Sequence, residues 1–209
     1  MKTRKSTIAG ALALVAVIAG PMQPTVLAAP AHDEHAHHHM TMSMEGTTRT
    51  VADYKLPDVP LVRDDGKAVF LPNELNDGRA VALDFIYTTC TAICPVTSKI
   101  FSQLQSKLGS GQGKVHLVSI SIDPEHDTPP VLREYARKYG AGPEWQQYSG
   151  TAEASLAVQR AFNVYRGDKM NHTPVTFIRL APGKPWIRID GFASASDLAH
   201  ELGDMVAAK

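Results

Sequence analysis

The spacing of apolar residues separates strands from helices over most of the chain. Residues 81–87 form an almost unbroken apolar run, which predicts a strand buried on both faces of a layered sheet. Apolar residues four positions apart predict a helix over 95–108, which Gly109 and Gly111 end. The first pattern also predicts strands over 115–122, 145–148, 175–180 and 186–189. The second also predicts helices over 128–139 and 153–162. It further predicts a last helix with Leu198, Leu202, Met205 and Val206 on one face.

The order of these elements predicts the fold class. Residues 54–71 predict a hairpin that turns at residues 64–67 and precedes the apolar strand. Strands and helices then follow one another, which indicates an α/β fold with a central mixed sheet flanked by helices and an N-terminal β-hairpin extension. A closely spaced cysteine pair after the first central strand is typical of thioredoxin-like proteins. Pro174 stands where that fold often has a cis-proline, although trans is the commoner form of any X–Pro bond.

Cys90 and Cys94 are the only cysteines among 209 residues, and they fall between the apolar strand and the first long helix. Four helical positions bring two side chains to one face, so the pair suits either a disulfide or a shared metal ion. Two sulfurs leave most metals short of ligands, and His172, in the loop before the strand near Pro174, is the predicted third ligand. Two thiolates and an imidazole form a small, soft site that suits Cu(I) and is able to hold Cu(II).

The first 28 residues have the composition of an export signal. Three basic residues precede an apolar run that prolines interrupt before it reaches the length of a spanning helix, and residues 26–28 fit a cleavage site. The expected organisation is a signal peptide over 1–28, a disordered His/Met-rich tail over 29–50 and a thioredoxin-like domain over 51–209. Export predicts a periplasmic protein that meets the membrane only through a partner or an uncleaved signal.

The charge of the exported chain excludes some partner classes. Without the first 28 residues, 18 Lys and Arg stand against 21 Asp and Glu, a net charge of −3. Such a chain has no excess of basic residues with which to bind nucleic acid or an anionic membrane surface. We therefore expect no nucleic-acid partner.

Residues 32–44 concentrate side chains that bind metals. They hold five of the nine histidines and three of the seven methionines, namely His32, His35, His37, His38, His39, Met40, Met42 and Met44. Imidazoles bind oxidised copper, zinc or nickel, whereas thioethers select Cu(I), so the mixture suits an ion that changes oxidation state. The tract is a candidate auxiliary metal site, and a soluble spacer is the alternative.

Four segments around the candidate site form a recognisable set. They are residues 84–90 with Cys94-Pro95, residues 121–124 with 127–129, residues 143–150, and Asn171-His172-Thr173. This set resembles the Sco/SenC family, whose members take part in cytochrome c oxidase assembly. The resemblance implies a thioredoxin-like domain that binds one copper through Cys90, Cys94 and His172.

The resemblance also implies a role and a partner. A protein of this kind carries copper to the binuclear copper site of the oxidase, or reduces the cysteines of that site. The expected partner is the copper-bearing subunit of cytochrome c oxidase or another periplasmic copper or thiol protein. Asp123 lies at a family position near the copper loop, and we expect it beside the ligands and not among them.

Redox chemistry is the second interpretation of the cysteine pair. Cys90, nearer the helix start, would attack a partner disulfide and Cys94 would resolve the mixed disulfide, which makes a thiol–disulfide oxidoreductase the alternative function. A peroxidase is disfavoured because the proline expected upstream of Thr-x-x-Cys is missing. A purely structural disulfide is disfavoured because four-residue spacing closes a loop too small to stabilise much.

The other notable side chains receive structural predictions. His116 is expected to pack or find a partner within its strand, and His126 and His200 to face solvent. Met170 is two residues before His172, and we expect it to pack on the fold and not to approach the metal.

Overall fold

The computed structural model describes residues 46–203, and all elements below lie in that range. The strands are β1 (Thr48–Ala52), β2 (Pro60–Arg63), β3 (Ala68–Phe70), β4 (Ala80–Ile86), β5 (Val115–Ser121), β6 (Trp145–Gly150), β7 (Val175–Arg179) and β8 (Trp186–Asp190). The α-helices are α1 (Leu71–Leu75), α2 (Ile93–Leu108), α3 (Pro129–Lys138), α4 (Ala152–Ala161) and α5 (Ala195–Glu201). Short 3₁₀ helices cover Gly109–Lys114 and Lys169–Asn171.

The described strands form one mixed sheet in the order β1-β8-β7-β4-β5-β6-β2-β3. β4, β5 and β6 are parallel neighbours, whereas β7, β8 and β1 on one side and β2 and β3 on the other pair antiparallel. β2 and β3 are the predicted hairpin, and the N–H of Arg63 closes its turn on the carbonyl of Lys67 at 2.9 Å. The predicted α/β class, a mixed sheet flanked by helices, is confirmed.

Two apolar cores cover the two faces of the sheet. Every residue of β4 is buried, and successive side chains enter opposite cores. Val81, Leu83 and Phe85 join the core that includes residues of α1 and α4, while Ala80 and Ala82 join the core built with α2 and α5. Burial on both faces is the physical reason for the continuous apolar run in the sequence.

The cysteine turn, which we define as residues 87–92 between β4 and α2, lies at the same end of the central strands as the loop that bears His172. Asp84, near the end of β4, pairs in register with Thr176, near the start of antiparallel β7. The chain after β4 and the chain before β7 therefore emerge side by side. A third, small apolar cluster packs at this end of the strands and includes Cys90, Cys94 and Leu132 of α3.

Local details differ from the sequence expectations. β1 begins at Thr48, so the last three residues of the stretch predicted as tail pair with β8. Thr48 and Thr50 are β-branched, which suits a strand at the sheet edge. Thr128 occupies the N-cap position of α3, but its side chain makes no capping hydrogen bond. The peptide bonds of the described residues are all trans, including Thr173–Pro174. Met205 and Val206 lie outside the described residues.

Over residues 46–203, no helix has the length and apolar character needed to span a membrane.

Candidate functional site

Cys90 and Cys94 lie where β4 gives way to α2. Cys94 is the second residue of α2, and Cys90 stands in the turn before it. The Cys90 sulfur accepts a hydrogen bond from the backbone N–H of Cys94 at 3.3 Å, and the Cys94 sulfur accepts one from the backbone N–H of Tyr87 at 3.5 Å. Both cysteines are buried and unbridged. Two soft sulfur donors therefore stand together at the helix start.

The two thiols differ in acidity. Burial raises the pKa of Cys90, but hydrogen bonds from backbone N–H groups, those of Cys94 and Ala92, outweigh burial and leave this pKa lowered. Burial also raises the pKa of Cys94, and the neighbouring Cys90 and Asp84 raise it further. Cys90 is therefore the thiol that ionises first, while Cys94 keeps its proton.

His172 presents one free nitrogen beside the cysteine turn. Its side chain is buried, and burial lowers the pKa of the imidazole, which favours the neutral ring. The ring hydrogen-bonds to the backbone of Phe85, whereas Nε2 is buried and has no hydrogen-bond partner among the described residues. A buried polar atom without a partner is costly, and a neutral imidazole held through its other nitrogen is the usual form of a metal-binding histidine. Nε2 of His172 therefore fits a metal ligand.

Tyr87 connects the cysteines to His172. Its ring packs edge-on against the imidazole, with ring centroids 6.4 Å apart, while its backbone N–H holds the Cys94 sulfur. Its hydroxyl donates to the Met170 sulfur at 3.6 Å, and its side chain also interacts electrostatically with Cys90. Burial and this contact raise the pKa of Tyr87 to about 12, so the hydroxyl stays protonated at neutral pH.

The three candidate ligands each contact Tyr87 but do not form a closed site. Among residues 46–203, no three His, Cys, Asp or Glu side chains are gathered so that they could hold a metal ion. A small cavity of about 80 Å³ borders the 166–172 loop, with Ile122, Val164 and His172 in its wall. Closing the cysteines and the histidine around an ion therefore requires a shift of the loop or its side chains.

Asp127 holds the cysteine turn in place through hydrogen bonds to Thr88. This carboxylate is fully buried and accepts hydrogen bonds from both the backbone N–H and the hydroxyl of Thr88. It also accepts one from the hydroxyl of Ser121 at the end of β5. The turn that leads to Cys90 is thus attached to the loop that follows β5.

Asp123 fixes the loop that bears His172. Its carboxylate accepts hydrogen bonds from Lys169 at 2.6 Å and from His126 at 3.0 Å. Burial raises the pKa of Asp123, but the hydrogen bonds with Lys169 and His126 outweigh burial and leave the pKa lowered. The Lys169 ammonium also lies 5.7 Å from the centre of the Tyr87 ring. No hydrogen bond joins Asp123 to either cysteine within residues 46–203, and its role beside the ligands stays a prediction.

Asp84 is a buried acid that the sequence analysis missed. It lies near the end of β4, and neither carboxyl oxygen makes an ordinary hydrogen bond within residues 46–203. Burial raises the pKa of Asp84 to about 7, which the nearby hydroxyls of Ser119 and Thr97 only partly offset. The signal was available, since Asp84 is the one charged residue in the apolar run 81–87.

The remaining predicted residues have mixed outcomes. His116 is buried and lies 3.2 Å from the hydroxyl of Tyr148, as expected of a partnered core histidine. His126 is largely exposed, although it pairs with Asp123. Met170 does not pack on the fold as expected, because 72 % of it is exposed. The eight tail donors His32, His35, His37, His38, His39, Met40, Met42 and Met44 lie outside the described residues.

Comparison with protein families gives one match that covers most of the chain. The family model described as SCO1/SenC matches residues 40–207. Among curated proteins, the SCO1 protein homolog of Bacillus subtilis (strain 168) is 31% identical over 105 residues, which cover 50% of this chain and 53% of that protein. The chain thus matches about half the length of this relative.

Solved structures share the fold over most of the described domain. The crystal structure of Arabidopsis thaliana ScoI with copper bound is 26% identical, with a TM-score of 0.58 over 72% of this chain and 96% of that one. BsSco is described as a member of the Sco family of cytochrome c oxidase assembly proteins in which a disulfide switch was identified. It is 24% identical, with a TM-score of 0.62 over 78% of this chain and 99% of its own. These matches confirm the predicted thioredoxin-like fold.

Proposed function

Since the chain belongs to the SCO1/SenC family, as its motifs predict, we propose that it is a copper-binding protein of cytochrome c oxidase assembly. Its folded domain would hold one copper through Cys90, Cys94 and His172, and would carry that copper to the binuclear copper site of the oxidase or prepare that site. The observation that carries this proposal is the buried Nε2 of His172, which has no hydrogen-bond partner within residues 46–203. The His172 ring packs on Tyr87, whose backbone hydrogen-bonds to both cysteines.

The donor set supports copper as the cargo. Thiolates and an imidazole together select Cu(I) and also accept Cu(II), the two states between which copper chemistry moves. Cys90, with its lowered pKa, would bind first as the thiolate, and Cys94 would lose its proton only when the ion compensates the buried charge. His172 already has the neutral form that a ligand needs.

The test is the Cu(I) affinity of His172→Ala. Removing the imidazole should weaken Cu(I) binding by at least about tenfold, because even support of a ligand is commonly worth 10–100-fold in metal affinity. Affinity is measured by competition with a Cu(I) chelator under reducing, anaerobic conditions. His200→Ala is the matched control, since it removes an exposed histidine from α5. An unchanged affinity in His172→Ala would remove the histidine from the site.

A thiol–disulfide oxidoreductase is the second candidate, and the unequal acidity of the cysteines favours it. The Cys90 thiolate would attack one sulfur of a partner disulfide, and the other partner sulfur would leave as a thiolate. Cys94, after losing its proton, would attack the Cys90 sulfur, which releases the second partner thiolate and leaves a Cys90–Cys94 disulfide. Reduction of a disulfide substrate that persists in His172→Ala but disappears in Cys90→Ser would assign the protein to this class.

We extend the proposal to the regions outside the described domain. Residues 1–28 would direct export to the periplasm, and the His/Met tract within 29–50 would capture copper before the folded site does. Amino-terminal sequencing of protein recovered from the periplasm tests the signal. A mature start near residue 29 supports cleavage, whereas an intact start would support an uncleaved anchor.

A further inference from the structure

Met170 holds its thioether in solvent beside the candidate ligands. With 72 % exposure, it is the most exposed of the large hydrophobic side chains in the described part of the chain. Methionine normally fills gaps in a core, and exposing it forfeits that stabilisation. Packing therefore does not explain this side chain.

The Met170 sulfur and the Cys90 sulfur share one neighbour. The Tyr87 hydroxyl donates to the thioether of Met170 at 3.6 Å. The Tyr87 carbonyl accepts a hydrogen bond from the N–H of Cys90 at 3.1 Å, and the Tyr87 side chain interacts electrostatically with the Cys90 thiol. The two soft donors thus belong to residues that both contact Tyr87, with Cys90 buried and Met170 largely exposed. An incoming ion would meet the thioether before it meets the thiol.

The backbone under Met170 is held in place. The Asp168 carboxylate accepts a hydrogen bond from the N–H of Met170 at 2.8 Å and caps the 3₁₀ helix Lys169–Asn171. Lys169 is anchored on Asp123 at 2.6 Å. The Met170 side chain therefore extends from a 3₁₀ turn whose backbone is held in place next to the candidate ligands.

We propose that Met170 binds Cu(I) together with Cys90 in a transient state through which the ion enters and leaves the site. This inference rests on the proposed copper-binding function. The neutral thioether binds Cu(I) without releasing a proton, so it needs no base in the exposed position. The Cys94 thiol then gives its proton to solvent and its sulfur replaces the thioether, with His172 completing the ligand set. Cys94 thus takes the place of Met170, His172 is added as a third ligand, and copper remains Cu(I) throughout.

The test compares transfer rates and affinity in Met170→Leu. Leucine keeps the size and apolar character of the side chain and removes the sulfur. The full-length, reduced protein is mixed anaerobically with the Cu(I) complex of bathocuproine disulfonate, and the decay of its colour gives the loading rate. Excess free chelator added to copper-loaded protein gives the withdrawal rate. We expect both rates to fall by about tenfold, the effect of roughly 1.4 kcal/mol on the barrier, with the affinity unchanged within about twofold.

A second variant controls for the number of thioethers. Met170→Leu combined with Leu180→Met restores a partly exposed methionine just after β7. That position lies at the opposite end of the central strands from Cys90. The His/Met tract is the same in all three proteins, so differences report on position 170. The double variant should transfer copper as slowly as Met170→Leu.

The outcomes separate this inference from the proposed function. Unchanged transfer rates in Met170→Leu would overturn the transient role. A loss of affinity without slower transfer would also overturn it, because Met170 would then be a permanent ligand. Rates restored by Leu180→Met would show that any exposed thioether suffices and would overturn the positional claim. Absence of tight Cu(I) binding in the unaltered protein would instead remove the proposed function.

Discussion

Asp84 shows how strongly burial determines the charge of a single residue near the end of β4. Its carboxyl is buried near the end of β4 without an ordinary hydrogen bond to the described residues, and its pKa is raised to about 7. The neutral acid is the form that the folded protein accommodates. Ionisation above pH 7 places a negative charge near Cys94 and raises the pKa of that thiol further.

Asp84→Asn should change how stability depends on pH. The unfolded chain loses the Asp84 proton near pH 4, whereas the folded chain keeps it up to about pH 7. Across this window the folded state binds more protons, so the free energy of unfolding contributed by Asp84 falls as pH rises, by up to about 4 kcal/mol in total. The amide in this variant cannot ionise, and the variant should gain stability relative to the unaltered protein as pH rises from about 4.5 to about 8.

Urea denaturation of the reduced, metal-free protein at these two pH values measures this difference. Asp53→Asn, at an exposed position, is the matched control and should leave the pH dependence unchanged. A pH dependence in Asp84→Asn equal to that of the unaltered protein would show that the Asp84 carboxyl ionises at the same pH in the folded and unfolded chains.

Loops joined by hydrogen bonds, and not the strands alone, determine the geometry of the site at the scale of elements. Asp127 connects the loop after β5 to Thr88, two residues before Cys90. Asp123 connects the same loop to Lys169, three residues before His172. One loop between β5 and α3 therefore positions both halves of the candidate metal site.

Asp127→Asn should loosen the cysteine turn. The amide retains the shape of the side chain but replaces one acceptor oxygen with a donor that faces the N–H and hydroxyl donors of Thr88 and Ser121. We expect a loss of about 1–3 kcal/mol in the free energy of unfolding, as for a buried hydrogen-bond partner removed. Alkylation of Cys90 should become faster, because the turn opens more often. If stability falls without faster alkylation, Asp127 supports the fold and not the turn.

The sequence predicted the buried elements well, because burial sets their apolar pattern. It was a weaker guide to elements and contacts that depend on residues far apart in the chain. β4 and α2 follow directly from their patterns, whereas β1 is mostly exposed and is stabilised by pairing with β8, far along the chain. The two cysteines and His172 could be named as candidate ligands from their chemistry, and that assignment stays a prediction. The contacts of Tyr87 with Met170 and of Thr88 with Asp127 join residues 83 and 39 positions apart, and no local pattern encodes them.

At the scale of the whole molecule, the folded domain and the His/Met tract should contribute separately to copper binding. A chain that begins at Gly46 keeps every described strand. We expect it to unfold at the same urea concentration as the full chain and to bind one Cu(I) with the same affinity. The full chain should bind further copper more weakly, because the tract adds imidazole and thioether donors. Copper-to-protein ratios at graded chelator concentrations measure both.

A chain that begins at Asp53 is the informative comparison. It also lacks β1, which pairs over five residues with β8 and carries the Arg49–Glu201 ion pair. This chain should lose stability while the chain from Gly46 does not. Equal copper content in the full chain and the chain from Gly46 would identify the tract as a spacer.

The cysteines follow β4 and His172 precedes β7, and these two strands are neighbours in the sheet, yet 78 positions of chain separate Cys94 from His172 (172 − 94 = 78). An unfolded chain has no such site, so bound copper would favour the folded state, by about 4 kcal/mol when free copper is a thousandfold above its dissociation constant. Proteases that act on transiently opened chains follow the population of those open forms. Copper-free molecules would therefore be degraded first, and the lifetime of this protein in its compartment would follow the local supply of copper.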